Sequence, residues 1–89
     1  MQVRASHILV ESEDKALGLL DIINKGANFG QLAQQFSKCP SGQNRGDLGV
    51  FGPGQMVPAF ETAAFNSRVG QVVGPVQTQF GYHLIQRTE

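Results

Sequence analysis

Eighty-nine residues, 40% of them hydrophobic, suffice for one compact domain spanning 1–89 and no second core. Seven basic and seven acidic residues cancel, so no net field favours nucleic acid or an anionic membrane as partner. No apolar run approaches the roughly 18 residues of a membrane helix, and the single cysteine, Cys39, excludes an internal disulfide.

Residues 2–10 end in the β-favouring run His7-Ile8-Leu9-Val10 and predict a strand in which His7 and Leu9 share one face and Ile8 and Val10 the other. Ser12 is suited to cap a helix over 13–25. Glu13 and Asp14 sit in its first turn, where the helix dipole favours negative charge. Ala16, Leu19, Leu20 and Ile23 follow at helical spacing, and Gly26 is the natural stop. Asn28 with Gln31 resembles a capping box for a second helix, whose stripe of Phe29, Leu32, Ala33 and Phe36 is expected to pack against a sheet.

Ser37 to Asn44 reads as a loop. From Gln43 to Phe60, four glycines and Pro53 demand tight turns, and between them stand Leu48, Val50, Phe51, Met56 and Phe60. A glycine-rich stretch that presents large apolar side chains is unsuited to phosphate and suits the wall of a small apolar pocket. Leu48–Phe51 can form a short strand, and Pro58 fits the first turn of a helix over Pro58–Asn66. Val72–Thr78 and Tyr82–Arg87 then predict a hairpin turning near Gln79-Phe80-Gly81. The order β-α-α-β-α-β-β predicts an α+β fold, an antiparallel four-stranded sheet wrapped by about three helices.

The residues that could carry chemistry are few. If the first and last strands pair centrally, His7 and His83 project from one face and can share a hydrogen bond. Two such imidazoles resist becoming charged together. A metal is not expected, because two histidines and one cysteine lack a fourth ligand and any CxxC or HxxxH spacing. Cys39 lies beside Lys38 and six residues before Arg45, basic neighbours that can raise thiol reactivity. No protease-type signature surrounds it.

The segments SHILV (6–10), GDLG (46–49), GQMVPAF (54–60) and FGYHLI (80–85), in that order, resemble the parvulin family of peptidyl-prolyl cis/trans isomerases. The resemblance runs through the whole chain, with Cys39 where that family carries cysteine or aspartate. It implies the same α+β architecture and an enzyme that accelerates rotation about X–Pro bonds in protein folding, without a cofactor. It also implies catalytic-site positions at His7, Cys39 and His83 and, together with the glycine turns, a proline pocket formed by Leu48, Met56 and Phe60. Gln55, Thr78 and Phe80 fall at its edge; Thr78 matches a threonine the family often shows two residues before its terminal glycine step. The histidines can serve either as a hydrogen-bonded element that orients the floor or as proton carriers. Ser41 and Gln43 carry no assignable role.

The expected partners are proline-containing unfolded or flexible protein segments, handled by a monomer. The opening MQVRASHILV lacks a signal-peptide pattern and predicts a cytoplasmic location. A domain excised from a larger periplasmic or extracellular protein would read the same. Phosphate-directed members of the family carry basic residues after the first strand. Here that loop, Val10 to Lys15, holds Glu11, Glu13 and Asp14, so no phosphate requirement is expected and Leu, Phe or Ala before the proline is favoured over phosphoserine or phosphothreonine. Two other classes compete with the isomerase: a peptide-binding or chaperone module with little catalysis, and a thiol enzyme built on Cys39.

Overall fold

In the computed structural model, which describes residues 2–89, the elements are β1 (Val3–Val10), α1 (Glu13–Asn24), α2 (Phe29–Phe36), β2 (Asp47–Phe51), α3 (Pro58–Asn66), β3 (Val72–Thr78) and β4 (Gly81–Arg87). A 3₁₀ segment, Pro40–Asn44, interrupts the loop between α2 and β2. The sheet order is β2-β1-β4-β3, with every neighbouring pair antiparallel. The expected architecture is therefore the one observed. The first and last strands lie side by side in the centre.

Alternation along these two strands divides the interior into two apolar clusters. Ile8, Val10 and Leu84 point to one face and pack against Ala16 and Leu19 of α1 and Phe29, Leu32 and Ala33 of α2. Val3, Ala5 and Ile85 point to the other and meet Phe51 with Phe60 and Ala64 of α3. His7 and His83 belong to this second face.

The helix ends follow their local chemistry. Ser12 Oγ accepts the Lys15 N–H, and Asn28 Oδ1 accepts the Gln31 N–H. Helix α1 stops one residue short of the expected 25, because Lys25 leaves helical geometry and Gly26 turns the chain at φ 109°. Phe29, Leu32 and Ala33 are buried as their spacing predicts. Phe36, the last residue of α2, is 37% exposed, with the Lys15 ammonium 5.9 Å from its ring centre.

The segment 37–46 does the work of a missing strand along the outer half of β1. Lys38 N–H donates to the Leu9 carbonyl (2.7 Å), Leu9 N–H to Ser37 Oγ (3.1 Å) and His7 N–H to the Gly46 carbonyl (2.9 Å). These bonds satisfy backbone groups that β2 does not reach, since the β1–β2 ladder ends at Ser6 and Asp47. Gly46 can come this close only because it lacks a side chain. At φ 83° a Cβ there would collide with the His7 carbonyl oxygen.

Two glycine substitutions should therefore act in opposite directions. Gly46→Ala combines positive φ with a backbone collision and is expected to cost more than about 1 kcal/mol. Gly18→Ala, in mid-α1 with nothing within 4 Å of an added Cβ, should stabilise by about 0.5–1 kcal/mol. Urea unfolding midpoints at constant m-value measure both.

Candidate active site

The β1–β4 register pairs His7 with Ile85 and Leu9 with His83, so the two histidines are diagonal neighbours on one face. Their rings lie 17° from parallel with centroids 5.2 Å apart, and Nδ1 faces Nδ1 at 3.0 Å. The rings thus meet edge to edge rather than stacking. One Nδ1 must carry the proton and the other accept it, which fixes complementary neutral tautomers.

The outer nitrogens also have partners. His7 Nε2 lies 3.1 Å from Ser41 Oγ, which lies 3.2 Å from Cys39 Sγ. His83 Nε2 lies 2.7 Å from Thr78 Oγ1, which accepts the Phe80 N–H at 3.2 Å. One hydrogen-bonded row therefore runs from Phe80 through Thr78, His83, His7 and Ser41 to Cys39. If His83 donates to His7, the Thr78 hydroxyl donates to His83 and the Ser41 hydroxyl to the thiol. Every group in the row then finds a partner of the right sense.

Both histidines are buried, at 5% and 4% exposure. Burial, and secondarily the His83 charge, pushes the His7 imidazole down to about 4 from its ordinary 6.5. Burial lowers His83 as well. The pair is neutral at pH 7. The Phe60 ring stands nearly perpendicular to both, with centroids 5.6 Å from His7 and 5.4 Å from His83.

Above this floor opens a cavity of about 420 Å³. Leu48, Met56 and Phe60 line it, as do His7, Cys39, His83, Gln55 and Phe80. Phe80 is 61% exposed at the rim. Thr78, expected at the edge, lies outside the lining and behind His83 instead. Leu9, Lys38, Pro40 and Val57 complete the wall, none of them assigned to the pocket from the sequence. Glu11, Glu13 and Asp14 are not part of it, and its charged member is Lys38.

The GDLG segment explains itself here. Gly46 hugs the His7 backbone. The Asp47 carboxylate takes two bonds from the Arg4 guanidinium, 2.6 and 3.2 Å, and accepts the Gly49 N–H at 3.0 Å. The Arg4 bonds hold that carboxyl below its usual range. Leu48 is thereby held toward the cavity between two anchored neighbours. The following turn is tied down by Gly52 N–H to Gln55 Oε1 and Gly54 N–H to Glu61 Oε1. Those ties fix the turn that leads through Met56 into α3.

Sequence reasoning missed Ser41, which links His7 to Cys39. A hydroxyl two residues from the cysteine was the only signal available. It also missed Gly74, where a Cβ would approach the His83 carbonyl oxygen to 2.6 Å. Among the described residues no group of three or more His, Cys, Asp or Glu side chains is placed to hold a metal ion.

A family model described as the PPIC-type PPIASE domain, Rotamase, matches residues 6–89. Among curated proteins, the foldase protein PrsA of Geobacillus sp. (strain WCH70) is 51% identical over 89 residues, covering 99% of this chain and 32% of that protein. The crystal structure of PrsA from Bacillus subtilis superposes with a TM-score of 0.96 at 44% identity, over 99% of this chain and 34% of that one. The solution structure of NmPin, the parvulin of Nitrosopumilus maritimus, superposes with a TM-score of 0.89 at 40% identity, covering 99% and 96%. The chain thus spans about a third of the length of the curated foldases it matches, and nearly all of the Nitrosopumilus maritimus parvulin.

The neutral pair gives stability a definite pH dependence. With native pKa values below 6.5, the unfolded chain binds more protons, so stability is full above about pH 6.5 and falls as pH drops toward 4. His7 alone contributes a loss of about 3 kcal/mol across that window. Asp47 adds to the loss only as pH falls through the ordinary carboxylate range and below it. Urea midpoints at pH 8, 7, 6, 5 and 4 should be flat at first and then decline. A flat profile down to pH 4 would show that the imidazoles are not held neutral.

Proposed function

Because the chain belongs to the rotamase family of PPIC-type peptidyl-prolyl isomerase domains, we propose that this peptidyl-prolyl cis/trans isomerase turns X–Pro bonds non-covalently, in the cavity floored by Phe60 and the histidine pair. The observation that carries the reading is an apolar cavity over a floor of uncharged imidazoles. An X–Pro bond loses amide resonance as it rotates, against a barrier of about 18–20 kcal/mol. Uncatalysed, rotation takes roughly 10–100 s. The planar amide is strongly dipolar and the twisted one less so. An apolar wall therefore disfavours the ground state more than the twisted form.

Leu48, Met56 and Phe60 grip the prolyl ring, and grip that is best in the twisted geometry lowers the barrier further. A 10⁴-fold acceleration asks for about 5.5 kcal/mol of such preference. In this reading His7 and His83 hold Phe60 and keep the floor uncharged. Cys39 serves as a polar group at the edge. A nucleophilic thiol needs a base, and the imidazole hydrogen-bonded toward it, His7, is linked to it only through Ser41 and resists protonation at pH 7.

The substrates we assign are proline-containing flexible or unfolded protein segments, processed by one chain acting alone and without nucleic acid. Assistance to protein folding is carried over from the relatives' name, foldase. No helix among the described residues is long and apolar enough to cross a membrane. The function suits the cytoplasm, or the outside of the membrane if the chain serves within a longer exported protein.

A protease-coupled isomerisation assay on a short proline peptide tests the proposal. Phe60→Ala and Met56→Ala, checked for folding by circular dichroism, should each lower kcat/KM at least about tenfold, or ~1.4 kcal/mol. Full activity in both would overturn the pocket assignment. Cys39→Ser and Cys39→Asp should stay within about tenfold of the parent, whereas abolition in both with a trapped thioester would establish covalent catalysis. No phosphate requirement is assigned, because the wall offers no arginine fork. Phosphoserine instead of glutamate before the proline should change kcat/KM by less than about fivefold, the worth of one exposed ion pair.

A further inference from the structure

Next to the proline cavity lies a second, polar cleft of about 310 Å³, lined in part by Gln34, Ser37 and Gln43. The two hollows share Lys38, Cys39 and Pro40, which form the divide between them. Lys38 is the charged residue common to both linings, and no carboxylate belongs to either. Its ammonium takes part in none of the ion pairs among the described residues, which join Arg4 to Asp47 and Glu89 and Lys25 to Asp21.

The backbone of Lys38 is fixed while its side chain is free. Its N–H donates to the Leu9 carbonyl at 2.7 Å, and Ser37 Oγ accepts from both Leu9 N–H and Cys39 N–H. The residue is thereby held at a set distance from the histidine floor, with an exposed, unpaired cation at the lip. A peptide whose prolyl ring occupies the apolar cavity, and whose chain crosses the divide, carries the neighbouring side chain past that cation. Beyond it the cleft offers amides and a hydroxyl, which accommodate a carboxylate without repulsion.

Resting on the isomerase reading above, we infer that Lys38 is a specificity residue that selects substrates with an acidic side chain next to the proline. The chain has zero net charge, so this preference is local and not a long-range effect. An exposed pair of this kind is worth about a two- to fivefold preference for glutamate over its neutral isostere glutamine. Lysine at the same position is disfavoured by a similar factor.

Two tetrapeptide series test this, placing Glu, Gln, Ala or Lys first before and then after the proline. At low ionic strength kcat/KM should rank Glu above Gln above Lys in at least one series. The ratio of Glu to Lys should shrink at about 0.5 M salt, where the screening length falls to about 4 Å. Lys38→Gln should flatten the ranking and Lys38→Glu should reverse it. A flat ranking in both series with the parent protein, or an unchanged ranking in Lys38→Glu, overturns the inference. The Ala and Gln peptides separate the two levels: turnover of these with no charge ranking sinks only the role of Lys38. Absence of turnover on any peptide sinks the isomerase reading itself.

Discussion

The contact on which the rest depends is the one between two buried imidazoles, Nδ1 to Nδ1 at 3.0 Å across the central strands. Burying a polar ring is costly unless its nitrogens find partners. Here all four do, through the shared central bond and the Ser41 and Thr78 hydroxyls. Charge is excluded by lost hydration at both rings and, at His7, secondarily by the neighbouring imidazole, because the hydrogen-bond geometry alone would tolerate an extra proton on a ring nitrogen that faces a hydroxyl. A neutral floor follows, and it leaves the hollow above it walled mainly by apolar side chains.

That contact needs closely set backbones, and the glycines supply them. Gly46 abuts the His7 carbonyl from one side of the sheet, and Gly74 abuts the His83 carbonyl from the other. The histidine strands are thus gripped by two neighbours that carry no Cβ. Arg4 and Asp47 fasten the first of these at a position where one partner is half-buried. The pair is worth only modest stability as a surface ion pair. Its consequence is geometric, since Asp47 separates Gly46 from Leu48 and both must be placed at once.

The two faces of the sheet divide the labour. The α1–α2 side is closed by side chains at helical spacing and lines the apolar cavity only through the loop that follows α2. The α3 side uses a thinner cluster and leaves Leu48 and Met56 half-buried around an open hollow. Phe80 stays exposed at its rim. Apolar surface left exposed in one connected patch marks where a partner docks.

The sequence by itself determined what local rules control. Alternation fixed the faces of the strands, the Ser12 and Asn28 caps fixed where helices begin, and Pro58 opened α3 at its first turn. The four family segments pointed to His7, His83, Leu48, Met56 and Phe60, and all five stand around one hollow. Only the tertiary structure decided how distant pieces meet. His7 and His83 are 76 positions apart and His7 and Ser41 are 34 apart, so strand register and loop path set those bonds. The same register puts Thr78 behind His83 instead of at the edge, and the path of residues 37–46 brings Lys38 to the wall while Glu11, Glu13 and Asp14 stay off it. Period and propensity act over a few residues, whereas the route of a loop across a sheet edge depends on which backbone groups the strands leave unpaired.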